Sequence, residues 1–223
     1  MKSQDVMPNL HIALQQHFGF TQFNPGQEQV INHLLVGNSA CAIFPTGGGK
    51  SLCYQLPALL LSGLTLVVSP LIALMKDQID ALQKRGIAAA RLDSTLSADE
   101  YRDIVNQARD GLLKLLYVAP ERFNNERFRS TIERLPISLF AVDEAHCISH
   151  WGHDFRPDYR MLKERLTLLR SAPVIAMTAT ATPLVQNDIA HQLDMPIAKR
   201  YIHGFRRTNI AIEVTEMPQR ARG

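Results

Sequence analysis

Three stretches of the sequence carry side chains whose types and spacing could do chemistry. The first is Ala42-Ile43-Phe44-Pro45-Thr46-Gly47-Gly48-Gly49-Lys50-Ser51, an apolar run feeding three glycines, then Lys-Ser, then a helix-compatible segment from Leu52. Glycines let backbone N–H groups turn toward an anion, and a following helix N-terminus adds its positive dipole end. In that layout Thr46, Gly47, Gly48 and Gly49 form a phosphate cradle. Lys50 reaches the β- and γ-phosphates as a point charge, and the Ser51 hydroxyl holds Mg2+. The general G-x-x-x-x-G-K-S pattern wants a glycine at position 44, where this chain has Phe44. Taken alone, the stretch reads equally well as a Gly-rich turn between a strand and a helix. The second stretch, Leu139-Phe140-Ala141-Val142-Asp143-Glu144-Ala145-His146, is an apolar run ending in two carboxylates. Beside a phosphate loop, Asp143 can hold Mg2+ through its bound water while Glu144 orients and deprotonates the attacking water. The third runs from Cys147 to Pro157 and holds the only Trp of the chain, Trp151, with His153, Phe155 and Arg156. These aromatics lie in a polar, Gly-containing segment rather than on an amphipathic stripe. Bases stack on such side chains for about 1–3 kcal/mol each.

These stretches need rigid elements beneath them. Leu10, Leu14, His17 and Phe18 at helical spacing predict a helix over 6–18, closed by Gly19. Asn24-Pro25 reads as N-cap and first residue of a second helix, with Val30, Ile31, Leu34 and Leu35 buried. A helix from Lys50 must end or kink at Pro57. Ser69-Pro70 repeats the cap-then-proline signature ahead of a stripe of Leu71, Leu74, Met75, Ile79 and Leu82. Ser97 and Glu100 predict a capping box for a helix reaching about 109. Further helices are expected from Pro157, with Leu162, Leu166 and Leu169 on one face, and from Thr182-Pro183, with Leu184, Val185, Ile189 and Leu193 buried. Short apolar runs at 40–44, 65–68, 88–92, 113–118, 138–142 and 173–177 read as strands. Strands alternating with helices, the strands continuously apolar, predict an α/β fold: a three-layer αβα sandwich around a mostly parallel sheet. The chemistry-bearing stretches follow strands, so they should gather on one rim.

Pro45–Ser51 and Asp143–His146 resemble motifs I and II of superfamily 2 helicases, a family that accepts a non-Gly residue at the position of Phe44. The remaining stretches narrow the resemblance to the RecQ family of DNA helicases. Phe18-Gly19-Phe20 and Phe23-Asn24-Pro25-Gly26-Gln27 resemble its motif 0, which implies Phe20 and Gln27 at the nucleotide, Gln27 on the adenine edge. Asn24 stands where the family usually has Arg. Val68-Ser69-Pro70-Leu71 through Lys76 and Tyr117–Arg122 resemble motifs Ia and Ib, which implies single-strand contacts by Ser69, Leu71, Lys76, Pro120 and Arg122. Cys147–Pro157 resembles the family's aromatic-rich loop, implying that Trp151, His153, Phe155 and Arg156 sense the single strand. Met177-Thr178-Ala179-Thr180-Ala181 resembles motif III, implying that Thr178 and Thr180 couple the two sites. Phe205–Ile210 resembles the segment leading into a second lobe, with Arg206 and Thr208 departing from the commonest form.

The resemblance spans about residues 10–212 and implies a RecA-like P-loop NTPase lobe. It implies ATP and Mg2+ as cofactors, no zinc in this fragment, and 3′-to-5′ unwinding of DNA. The expected partners are single-stranded and forked DNA and a second helicase lobe, on a monomeric protein. Residues 1–36 would be N-terminal helices carrying the adenine motif, 37–208 the lobe, and 209–223 the start of a linker to the second lobe. No motifs IV to VI follow, so the chain reads as a first lobe with little turnover of its own.

Composition sets the outer bounds. The 223 residues suit one large α/β domain, and a formal charge of +3 leaves any nucleic-acid footprint local. Cys41, Cys53 and Cys147 have no ligand-like spacing and no even pairing, which argues against a zinc framework or disulfides and for a reducing, cytoplasmic compartment. No apolar run reaches transmembrane length, and no secretory h-region opens the chain. Two other readings stay open at this level. A small-molecule kinase would need an Arg-rich lid, and a non-catalytic ATP-binding lobe would use the nucleotide only as a structural ligand.

Overall fold

A computed structural model describes residues 9–166, 171–195 and 197–203. Among the described residues seven strands form one sheet: β1 (Ala40–Ile43), β2 (Leu64–Val68), β3 (Ala89–Leu92), β4 (Leu115–Val118), β5 (Ile137–Val142), β6 (Val174–Thr178) and β7 (Lys199–Ile202). Their order is β3-β4-β2-β5-β6-β1-β7, and every pairing is parallel. Parallel neighbours require crossovers, and the helices supply them. Ahead of β1 come α1 (Leu10–Phe18) and α2 (Gln27–Leu35); the crossovers carry α3 (Leu52–Leu60), α4 (Ile72–Gln83), α5 (Ala98–Arg109), α6 (Glu126–Ile132), α7 (Pro157–Leu166) and α8 (Pro183–Gln192).

Alternation along each strand divides the core in two. Cys41, Ile43, Leu66, Val68, Phe140, Val142 and Ala176 face a cluster completed by α5, α6, α7 and α8. Ala40, Ala42, Val67, Ala141, Ile175 and Met177 face the opposite cluster, completed by α1, α2, α3 and α4. The result is the three-layer α/β sandwich expected from the sequence. Its sheet is wholly parallel and buried on both faces, which is why the strands read as unbroken apolar runs.

The capping box at Ser97 is present in both directions: Ser97 N–H donates to Glu100 Oε2 at 2.8 Å and Glu100 N–H to Ser97 Oγ at 3.2 Å. Thr182 caps α8 through Val185 N–H, and Gly19 closes α1 in the left-handed conformation. Four local expectations differ. Asn24-Pro25 does not start α2, because Gly26 at φ 85 breaks the chain direction and the helix begins at Gln27. Ser69-Pro70 likewise forms a turn, with α4 starting at Ile72 behind an extended Leu71. Leu71, Leu74 and Leu184 are exposed rather than buried, each on the first turn of its helix or just before it, at the rim. Of the two outcomes expected at Pro57, an end or a kink, the end does not occur: α3 runs one turn further and closes with Leu61 N–H on the Pro57 carbonyl at 2.9 Å. The short helix α6 and strand β7 went unread from sequence. The Phe205–Ile210 segment and Leu169 lie outside the described residues.

Candidate active site

β1 delivers the chain into the loop 44–51 at the C-terminal edge of the sheet, and α3 leaves from it. Gly47 and Gly49 sit at φ 78 and 73, where a side chain would be strained. A Cβ at Gly49 would also collide with Gln27 Nε2. Among the described residues, no protein acceptor meets the backbone N–H groups of Gly47, Gly49, Lys50 and Ser51. Lys50 Nζ folds over the loop and donates to the Phe44 carbonyl at 3.2 Å. Ser51 takes helical angles at the start of α3 without making a side-chain cap. The loop therefore presents free donors at a helix N-terminus, the arrangement that attracts a phosphate group.

Gln27, at the start of α2, is 2% exposed. Its amide is engaged at both ends: Oε1 accepts from Asn24 N–H at 2.7 Å, and Nε2 donates to the Gly49 carbonyl at 2.9 Å. In this conformation it latches the 24–27 turn to the phosphate loop. Phe20 stands in the open, half its surface exposed.

Asp143 closes β5, its N–H donating to the Val68 carbonyl at 2.8 Å. Its Oδ1 accepts from Glu144 N–H at 3.0 Å, and the Tyr159 hydroxyl of α7 donates to its carbonyl at 3.1 Å. Burial first, and then the neighbouring Glu144 charge, push the Asp143 carboxyl up to about 6. Glu144 lies in the left-handed region at φ 47, ψ 45, which costs a non-Gly residue about 1–3 kcal/mol. A hydrogen bond from His146 holds its carboxyl below the usual range, against the upward pull of burial.

His146, which closes the Asp-Glu-Ala-His stretch, has a wider set of contacts than its place in that stretch announces. Its Nδ1 lies 3.3 Å from Glu144 Oε2 and 2.9 Å from Thr178 Oγ1. The Thr178 hydroxyl donates to the Thr180 carbonyl at 3.1 Å. Its proton is thus committed, and Nδ1 must carry the hydrogen shared between Thr178 and Glu144. The His146 ring stacks on His153 at 4.3 Å and 13°. Motif II, the end of β6 and the aromatic-rich loop meet at this one imidazole. The register explains the meeting: Val142 pairs with Ala176, so Glu144 and Thr178 leave neighbouring strands at the same level.

The loop 149–156 is pinned at its base and open at its tip. Buried Ser149 donates to Asp188 Oδ2 of α8 at 2.6 Å and accepts from Trp151 N–H at 3.2 Å. Burial pulls the Asp188 carboxyl upward, but the bonds from Ser149 and Gln192 outweigh it and hold the group below its usual value. Neither Ser149 nor Asp188 was singled out from sequence, because the bond joins segments 39 residues apart. Trp151 is 69% exposed. Phe155 packs its ring on His150 at 3.9 Å beneath the Arg160 guanidinium. Arg156 donates to Asp154 at 3.0 Å and to the Pro70 carbonyl at 3.4 Å, linking the loop to the turn after β2.

The other residues expected to touch a single strand spread along the same rim. Lys76 is exposed on α4, whereas Ser69 and Pro120 are buried beneath it. Arg122 lies between the Tyr101 and Phe128 rings, 6.0 and 5.2 Å from their centroids. It lines a cavity of about 730 Å³ beyond β3 and β4 that also receives Arg102, Arg109, Arg127 and Arg134 against a single acid, Asp93.

The chain is thus a parallel α/β lobe with a glycine-rich loop after β1 and an acidic pair after β5, both at the C-terminal edge of the sheet. The DEAD/DEAH box helicase family model matches residues 24–188, and the chain belongs to that family. Its curated relatives include the ATP-dependent DNA helicase RecQ of Bacillus subtilis, 46% identical over 206 residues, which covers 91% of this chain and 35% of the relative. RecQ of Haemophilus influenzae is 46% identical over 209 residues, covering 94% of this chain and 34% of the relative. The chain thus spans about a third of the length of the RecQ helicases it matches. The DUF1998 helicase MrfA superposes with a TM-score of 0.65 at 21% identity, over 86% of this chain and 32% of that one, and so shares the fold. Among the described residues no helix is long and apolar enough to cross a membrane.

Proposed function

We propose that this chain is the ATP-binding first lobe of a RecQ-like DNA helicase that moves 3′ to 5′ along a single strand. The carrying observation is the cradle of unmet N–H groups after β1, set two strands away from the carboxylate pair after β5. Residues 37–208 would form the lobe, with 1–36 its adenine-side helices and a second lobe supplied beyond the linker that 209–223 begin. The free, buried cysteines are in keeping with a cytoplasmic setting.

The donor set fits Mg2+. Ser51 and Asp143 offer only oxygen, which suits a hard cation. Asp143, held near 6 by burial and by Glu144, is short of the countercharge a cation would bring. When bound, the cation neutralises charge on the triphosphate. The chain's own residues do the rest. The N–H groups of Gly47, Gly49, Lys50 and Ser51 bind phosphate oxygens, and Lys50 exchanges the Phe44 carbonyl for the β- and γ-phosphates. Glu144, held ionised by His146, accepts the proton of the attacking water. Gln27 and Phe20 flank the adenine, Gln27 by trading one of its protein bonds for the base edge. Ser69, Leu71, Lys76, Pro120 and Arg122 line the strand's path, and Trp151, His153, Phe155 and Arg156 sense the strand. His146, Thr178 and Thr180 carry that contact to Glu144.

Turnover by the 223 residues alone should be slow, because an arginine finger from a facing lobe contributes about 10³–10⁵ in rate. The test compares ATP binding and single-turnover hydrolysis for wild type and Glu144→Gln, with and without a single strand. Retained binding with lost hydrolysis supports the catalytic reading. Hydrolysis unchanged by the substitution would remove it and leave a lobe that only binds ATP.

A further inference from the structure

Beside the nucleotide site, the segment after Glu144 brings together three ligand atoms of different chemistry. A ring nitrogen of His146, Cys147 Sγ and an Asp154 carboxylate oxygen all lie within 4.8 Å of one another. Sγ is 3.7 Å from Nε2 and 3.7 Å from Asp154 Oδ2. Tetrahedral zinc, with bonds of about 2.3 Å to sulfur and about 2.0–2.2 Å to nitrogen or oxygen, separates a sulfur from its N or O neighbour by about 3.5–3.6 Å. Two edges of the tetrahedron are therefore already close to formed. The third needs Asp154, an exposed side chain, to close by at most about 1.4 Å.

The protonation pattern leaves the same place under-supplied. Nδ1 of His146 is turned to Thr178 and Glu144, so Nε2 is the ring nitrogen that faces the thiol. The one S–H proton faces two acceptors, Nε2 and Asp154 Oδ2, and can serve only one. A cation in the centre would serve all three, with water in the fourth position, and the thiol proton would leave to solvent. Cysteine spacing hides the arrangement, because two ligands are adjacent in a 3-10 turn (Ala145–Ile148) and the third returns from the loop.

We propose that His146, Cys147 and Asp154 form a binding site for a thiophilic divalent cation of the zinc type. Occupancy staples the aromatic-rich loop, through Asp154, to the turn that follows Glu144. It also draws Asp154 from Arg156, whose guanidinium reaches the Pro70 carbonyl. The site is separate from the oxygen-only Ser51–Asp143 pair, so its failure would leave the ATP-binding reading intact.

The test uses Co2+ as a visible stand-in on the full 223-residue chain, followed by displacement with Zn2+. Near-equimolar Co2+ should give a thiolate-to-cobalt charge-transfer band and quench the emission of Trp151, the only Trp and four residues from Cys147. Zn2+ should reverse both signals, and excess Mg2+ neither, since Mg2+ avoids sulfur. Cys147→Ser should abolish the band while Cys41 and Cys53 remain. Asp154→Asn, at the surface, should weaken Co2+ binding by at least about tenfold. No band, a band that survives Cys147→Ser, or displacement by Mg2+ overturns the proposal. If Cys147→Ser does not fold, unchanged affinity in Asp154→Asn overturns it equally.

Discussion

The imidazole of His146 donates through Nδ1 to the Thr178 hydroxyl at 2.9 Å, bridging two strand ends 32 residues apart in sequence. Because Thr178 passes its own proton to the Thr180 carbonyl, the bond has one direction. Thr178→Val keeps the shape and removes the acceptor. The buried Nδ1–H then turns wholly to Glu144, and the Thr180 carbonyl loses its donor. We expect a loss of about 1–3 kcal/mol in a denaturant melt, with ATP affinity little changed. A variant as stable as wild type would show that the bridge contributes nothing to the fold.

Asp143 gives a pH signature. Its folded-state value of about 6 lies above the ordinary 3.8. The native state therefore binds the proton more tightly than the unfolded chain, and stability rises as pH falls through 6 toward 4. Above 6 the ionised, half-buried carboxylate costs on the order of 1–2 kcal/mol after allowance for solvent. Asp143→Asn should raise the Tm of the nucleotide-free chain at pH 8, and the gain should fade below pH 5. An equal Tm at pH 8 would contradict the electrostatic account.

The Gln27 latch predicts unequal glycines. Ala at Gly47 meets no atom within 4 Å and carries only the backbone cost of positive φ. Ala at Gly49 carries that cost and also strikes Gln27. Titration with a fluorescent ATP analogue should show Gly49→Ala weakened at least about tenfold more than Gly47→Ala, equivalent to about 1.4 kcal/mol. Similar losses in the two variants would remove the latch from the account.

Trp151 separates recognition from stability. With most of its surface in solvent, Trp151→Ala should leave the unfolding free energy within about 0.5 kcal/mol of wild type. Single-strand affinity, read by anisotropy of a labelled oligonucleotide, should fall by about 1–3 kcal/mol. Unchanged affinity would count against base stacking at this residue.

The legible parts of the sequence were those where residue type alone restricts chemistry or backbone. Three glycines before Lys50, two carboxylates after an apolar run, and Ser97 with Glu100 each announce a local structure. The Ser69-Pro70 and Asn24-Pro25 pairs misled because a proline suits a turn as well as a first helical turn; at Asn24-Pro25 the next residue, Gly26, decides for the turn. The seven-residue α6, rich in charge, has no stripe to read, and β7 exposes three of its four residues at the sheet edge. Thr178 and Thr180 could be named as a link between sites, but their partner could not. His146 meets Thr178 only through the β5–β6 register, and Ser149 meets Asp188 only through the packing of α8 on the turn 145–148. Non-local geometry of that kind leaves no local pattern.

The position of β6 between β5 and β1 has a mechanical consequence. Two strand spacings, about 10 Å, separate the phosphate loop from the carboxylate pair, and the strand in the gap ends at Thr178, whose carbonyl accepts from Phe44 N–H at 3.2 Å. The strand bonded to the loop's first residue is therefore also the strand bonded to His146. On the proposed reading, a ligand that pulls the loop would act on the same strand that holds His146 against Glu144.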